Sequence, residues 1–430
     1  MSTRTKISKQ ILYQLPKNPK TYLYILLSTL ASVLAIAFFL ELANNAQHIF
    51  KKLNNSTSYL TLVLTPIAFA LILYFDKKTT GFIGGSGIPQ LIAATDSRNR
   101  ELRLLLLSFK IAISKIFLVA FAVLAGASVS FGGPSVHVGG SIFYNFSHKI
   151  QIKKKLFINA IIAMGGSVGL IMAFNAPMAG FLFAFEEIGR NLKRQALILI
   201  AIVVFIAYFL GSFYHGNSPY FSDLNHSYFD LLDTWKLLPI ILISSVLGAF
   251  FAKLALYLIK TFVFSKNTNV IIFAIICGLV VAVVNVINNN AAGSGENEIL
   301  MLLSGEKLGY EFILAKFVAS LASFASTIAG GLFMTSMSIG AAIGSELSSL
   351  YQQIDMQVLV LFGMISYLSA VIRTPLTAAF LVLEMTHSLE LILPGVLIAY
   401  ISGYVSKQIS KTPIYEALAQ NYLSQSKNTN

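Results

Sequence analysis

The chain predicts an all-α, polytopic membrane fold made of two copies of one unit in inverted topology, with broken and re-entrant helices. Three observations lead there: long apolar runs nearly free of charge, short glycine-proline breaks between or inside them, and matched motif pairs whose flanking loops differ in charge. Of the residues, 56% are hydrophobic and only 11% charged. Apolar runs cover about 22–42, 58–75, 104–129, 156–185, 196–213, 237–262, 270–287, 312–343, 357–371 and 390–406. A crossing helix takes about 20 apolar residues, so several runs suit a bent pair of helices and others are too short to cross alone.

From the amino end, Arg4, Lys6, Lys9, Lys17 and Lys20 precede the first run with no acidic residue among them. The positive-inside rule puts residues 1–21 in the cytoplasm, and a full-length span with no small-residue cleavage site argues against a removed signal. The formal charge of +13 lies in loops and tails rather than on one amphipathic face, which fits membrane topology and excludes nucleic acid as a partner. Cys277 is the single cysteine, so it forms no intrachain disulfide and reads as core filler. The short stretch after the last run, 416–430, is expected as a cytoplasmic tail with no soluble regulatory domain.

Gly85-Ser86-Gly87-Ile88-Pro89-Gln90 breaks the apolar pattern and ends as a helix would begin. Such a start presents free N–H groups and the positive end of the helix dipole, a favourable setting for an anion. At membrane depth it survives only beside a cavity or packed protein. Shifting the chain by 198 residues lays Gly132-Gly133 on Gly330-Gly331 and the segment from Asn175 to Glu186 on that from Arg373 to Glu384. A shift of 208 lays Gly85-Ser86-Gly87 on Gly293-Ser294-Gly295. Three pairs in one order argue for duplication. Lys149, Lys153, Lys154 and Lys155 correspond to a stretch near 347–353 without Lys or Arg, and Arg190, Lys193 and Arg194 correspond to Thr386 through Ser388 with Glu390 nearby. Corresponding loops therefore face opposite sides, with repeats expected over 22–215 and 216–415 and the substrate held between them.

These residues resemble the CLC family of chloride channels and proton-coupled chloride exchangers. Gly85-Ser86-Gly87-Ile88-Pro89 is similar to its first signature, Gly132-Gly133-Pro134 with Ser135 through Gly140 to its second, and Gly331-Leu332-Phe333-Met334-Thr335 to its third. Phe174 through Gly180 with Glu186-Glu187, and Arg373 through Thr377 with Glu384-Met385-Thr386, complete the set. The resemblance implies a homodimer in the lipid bilayer with one chloride pathway per subunit, no cofactor, no metal and no enzymatic reaction. It implies that Ser86 and Tyr415 offer hydroxyls to the anion, Leu332 and Phe333 their amides, with Gly87, Ile88 and Gly133 at the helix starts around it. Plainer readings stand beside these: Ser86 as a helix cap, Tyr415 as an interfacial anchor, Leu332 and Phe333 as core, and Gly126, Gly132, Gly133 and Gly139 as packing glycines.

One departure bears on mechanism. The family places a gating, proton-carrying glutamate two residues before the proline of the second signature; here that residue is Gly132, preceded by Phe131 and Ser130. Glycine neither titrates nor plugs, so the expectation is passive, channel-like or uncoupled chloride transport, with a proton/chloride antiporter using other titratable groups as the alternative. Glu187 sits where exchangers carry their inner proton-transfer glutamate, with Glu186 beside it, and both form a possible proton pathway; His137 is a further titratable group, read mainly as packed. Met334 and Thr335 replace the usual small residue and proline of the third signature. Lys115 inside an apolar run reads as a structural or pathway-field charge. A membrane hydrolase with Ser86 as nucleophile and His137 as base lacks an orienting acid. The expected location is the plasma (inner) membrane with both termini cytoplasmic.

Overall fold

Proline and short polar side chains set the helix starts. Pro89, Pro177, Pro239 and Pro375 stand in first turns, where a missing N–H leaves no bond unmade. Asn99, Ser108 and Asn269 accept a bond from a first-turn N–H with their side-chain oxygens. The computed structural model describes residues 19–425 apart from 98, 150–154, 190, 191, 193, 217, 222–228, 230, 266–268 and 352. The first half contains α1 (Pro19–Ser56), α2 (Thr61–Thr79), α3 (Ile88–Asp96), α4 (Arg100–Leu106), α5 (Phe109–Leu124), α6 (Gly132–Lys149), α7 (Lys155–Phe174), α8 (Pro177–Phe183) and α9 (Arg194–His215). The second contains α10 (Leu238–Leu258), α11 (Val270–Ile287), α12 (Glu296–Leu303), α13 (Gly309–Ala325), α14 (Phe333–Leu347), α15 (Met356–Ile372), α16 (Pro375–Met385), α17 (Ile392–Ile409) and α18 (Ile414–Gln425).

Eight helical stretches among the described residues are long and apolar enough to cross a membrane. The long apolar runs divide as a bent pair should: 156–185 breaks at Asn175-Ala176 into α7 and α8, and 312–343 breaks between Ala325 and Phe333 into α13 and α14. Two expectations change. α1 outruns its 22–42 apolar segment and continues to Ser56; its 38 residues make it roughly 57 Å long at about 1.5 Å per residue, so it tilts or projects beyond the hydrocarbon. The expected tail is helical as far as Gln425: α18 packs on α3, buries Ala417, Leu418 and Ala419, and sets Tyr422 against Phe82 with ring centroids 5.9 Å apart. Hydropathy missed it because its apolar residues occupy one side of a short helix. Arg4, Lys6, Lys9, Lys17, Lys153, Lys154, Arg190 and Lys193, on which the charge reading rests, lie outside the described residues.

The duplication is written in the backbone. Gly85 and Gly293 have φ of +67° and +70°, Gly87 and Gly295 both have +94°, and Asn175 and Arg373 have +53° and +58°. Left-handed backbone is costly for any residue with a Cβ, so its recurrence at matched non-glycine positions reflects one fold used twice. The centre is two helix pairs, α6 on α7 and α14 on α15. A Cβ on Gly139 or Gly165 would overlap the carbonyl of the other, and Gly340 and Gly363 stand in the same relation. Gly139 thus serves packing, as small residues between membrane helices do. The apolar window of α7 is 83% buried, against 33–50% for the other spanning stretches, which places α7 inside the bundle.

Gly340→Val forces these backbones apart and is expected to cost on the order of 1–3 kcal/mol or more by overpacking. The measurement is the thermal midpoint in detergent, and an unchanged midpoint would contradict backbone-to-backbone contact here.

Candidate functional site

Three broken segments interlock where the halves meet. The Gly85 N–H donates to the Thr327 and Ile328 carbonyls at 3.0 and 3.1 Å, and the Gly330 N–H donates back to the Gly85 carbonyl at 3.3 Å. Ser130 and Gly331 exchange a pair of backbone bonds at 2.9 and 2.7 Å. Backbone groups freed by the breaks are thereby satisfied without water, as membrane depth demands. The contacts leave space only for glycine: a Cβ on Gly133 would stand 2.9 Å from the Ser86 Cβ, and one on Gly331 would stand 3.0 Å from the Gly133 nitrogen.

The starts of α3, α6 and α14 therefore lie side by side, with Gly133 against Ser86 and against Gly331, and the Phe333 ring near Gly132. Ser86 is 1% exposed, and its Oγ accepts the Ile88 N–H at 3.3 Å. Tyr415, in the first turn of α18, is fully buried; its hydroxyl faces Ser86 yet has no well-formed hydrogen bond among the described residues. The first N–H groups of α6 and α14 have no intrahelical acceptor. The arrangement offers hydroxyls, amides and positive dipole ends, with no cationic side chain among them, which suits an ion that must be held and released.

The space at Gly132 is taken by a ring. A Cβ there would overlap Phe174 and stand 3.6 Å from the Phe333 ring. Phe174 packs tilted on Phe333 with centroids 5.8 Å apart and on Tyr220 at 6.3 Å. The sequence shows Phe174 only as part of a motif; its approach to Gly132 depends on the left-handed turn at Asn175.

The acids divide into two roles. Glu186 accepts the Leu376 N–H at 3.1 Å and the Thr377 N–H and hydroxyl at 2.7 and 2.8 Å, capping α16. Glu384, its repeat counterpart, accepts the Met178 and Ala179 N–H groups at 2.9 and 2.8 Å, capping α8. Each half thus caps a helix of the other, and these bonds tie Glu186 to the framework. Glu187, on the π-helical turn Ala184–Ile188 that follows α8, is 2% exposed and within electrostatic reach of Tyr415.

Two buried lysines repeat the same relation. Lys115 Nζ donates to the Gly85 carbonyl at 3.1 Å with Asp76 nearby, and Lys316 Nζ donates to the Gly293 carbonyl at 2.9 Å and to those of Ala291 and Ala292. Sequence reading missed Lys316; its place in the second half, 201 residues after Lys115, was the available signal. The second glycine break holds Gln47 instead of facing an open point: the Ser294 N–H donates to Gln47 Oε1 at 2.9 Å. His137 is buried, with Nε2 bonded to the Leu106 carbonyl at 2.9 Å and its ring against Gly87, a packed residue.

The sequence profile of the family described as voltage gated chloride channel matches residues 68–407, well over half of the chain. The protein belongs to the CLC family. CLC proteins are channels and transporters that use chloride as the transported substrate without cofactors, so this CLC protein transports anions and is not an enzyme. Among curated relatives it is 25% identical over 387 residues to the H(+)/Cl(-) exchange transporter ClcA of Citrobacter koseri, covering 84% of this chain and 80% of that one. It is also 25% identical over 381 residues to ClcA of Salmonella agona, covering 83% and 79%. In fold it is similar to a slow cyanobacterial Cl-/H+ antiporter (TM-score 0.84, 21% identity, 95% of this chain and 99% of the other). A CLC-type fluoride/proton antiporter gives 0.75 at 18% identity, covering 92% and 96%. The relatives named are exchangers, and the uncoupled expectation drawn from Gly132 is not confirmed by them.

Removing either reciprocal cap is expected to destabilise this CLC protein. Glu186→Ala and Glu384→Ala should each cost about 1–2 kcal/mol, read as earlier unfolding in detergent. Equal stability of both variants and the parent would deny the caps their role.

Proposed function

We propose that this CLC protein exchanges chloride for protons, the anion crossing where the helix starts meet and the proton using groups other than residue 132. One observation carries the anion part: the buried Tyr415 hydroxyl, turned toward Ser86 with no well-formed bond of its own. A buried donor left unpaired costs about 1–3 kcal/mol. A monovalent anion supplies the acceptor, shared with Ser86 and the amides of Leu332 and Phe333. Support for the proton part comes from the exchangers among the relatives and from Glu187, an intramembrane acid beside Tyr415.

Uncoupled passage is the second reading, favoured by Gly132 and by the Phe174 ring in its side-chain space, neither of which titrates. In the same proposal the halves divide at 22–215 and 216–415, two subunits associate with one pathway each, and both termini face the cytoplasm of a plasma (inner) membrane, supported by the basic amino end.

In reconstituted vesicles an imposed chloride gradient is expected to drive protons uphill in exchange. Chloride flux without proton movement would establish the uncoupled reading instead. Ser86→Ala and Tyr415→Phe should each weaken halide binding about tenfold, the loss of one hydrogen bond to a charged group. Isothermal titration with unchanged affinity in both variants would remove these hydroxyls from the site.

A further inference from the structure

A mostly polar cavity of about 190 Å³ lies at the end of α9, between the later half of α1 and the start of α12. Its lining includes Asn44, Phe131, Tyr214, His215, Tyr220 and Glu296. Tyr214 is 38% exposed and Ser218 at the same rim is exposed, so the cavity is open on this side. With the amino end cytoplasmic, as proposed above, this mouth lies on the outer side, since Leu40 and Asn44 in the later half of α1 line it.

The cavity joins the anion point through named contacts. Phe131 is the residue before Gly132. The Tyr220 hydroxyl faces the Glu296 carboxylate within electrostatic reach, and the Tyr220 ring packs on Phe174, whose own ring fills the side-chain space of Gly132 and packs on Phe333. A carboxylate, a phenol and one aromatic ring thus connect outer water to the place where the family carries its missing acid. An acid at such a mouth is costly and expensive groups in a transport path serve it.

Resting on the exchange reading, we infer that Glu296 is the outer proton acceptor of this protein, with Tyr220 positioning it and the Phe174 ring separating it from the anion. The ionised carboxylate takes a proton from outer water and becomes a neutral acid. Its charge no longer opposes chloride at the mouth, and the proton moves inward toward Glu187 as an anion leaves. The groups around Glu296 are Tyr214 and His215 at the end of α9, Tyr220 just after it, His48 and Lys51 from α1, and Glu298 of α12, which pairs with Lys51 at 2.7 Å; Glu41 of α1 acts on Tyr214. His215 Nε2 meets the Met172 carbonyl at 2.8 Å, which fixes the proton on that nitrogen in the neutral ring.

The test uses the full chain in vesicles, with chloride efflux and proton uptake recorded together while external pH is stepped from about 4.5 to 8. Glu296→Gln should lower the proton-to-chloride ratio at least fivefold and flatten the dependence of flux on external pH. Tyr220→Phe removes a donor that favours the ionised carboxylate, so coupling should persist with its external-pH midpoint moved upward. A coupled parent whose Glu296→Gln variant keeps its ratio overturns this assignment and leaves the exchange reading intact. A parent that moves chloride alone overturns both. If Glu296→Gln yields no flux, the Tyr220→Phe midpoint decides: an upward move supports the assignment, and an unmoved or lowered one overturns it.

Discussion

Backbone amides and carbonyls cannot be left bare inside a bilayer, and the interlock of Gly85 with 327–330 and of Ser130 with Gly331 is how this fold meets that constraint. Each break exists because another break faces it. The same bonds bring the starts of three helices side by side, so the device that makes the backbone tolerable also builds the place proposed for the anion. Glycine at 133 and 331 follows from the interlock, because a single Cβ would separate strands of chain that must touch.

Pseudosymmetry in the molecule is structural and not functional. Both glycine breaks share their left-handed backbone and a buried lysine on their carbonyls. In the first, Ser86 lies against Gly133 and Tyr415. In the second, Gln47 fills the turn and Ser338 stands where His137 stands in the first half. The proposed anion place belongs to the first copy alone, while the second is filled by side chains of the bundle.

Much of this was legible in the residues. Apolar runs, proline at helix starts and the paired glycine motifs carry local physics, so the spans, the breaks and the repeat follow from them. Motif order named Ser86, Leu332, Phe333 and Tyr415 as the residues for the proposed anion place. What escaped is tertiary: the Phe174 ring over Gly132, the capping by Glu186 and Glu384, Lys316 as the twin of Lys115, and the Glu296 cavity. Each depends on two segments more than 15 residues apart meeting at a given angle, information that neither periodicity nor hydropathy holds. The start of α18 was legible in Pro413 before Ile414 and Tyr415, while its length to Gln425 was not, its apolar side being too narrow to register as a run.

The crossed caps have a bearing on how the fold arose. Glu186 holds the start of α16 and Glu384 holds the start of α8, the relation i to j and j to i that defines contact across a two-fold axis. A half-length ancestor inserted in both directions would make this contact between two separate polypeptides with one glutamate. Gene fusion would then join partners already fitted to each other, and neither half would retain its helix starts if parted again.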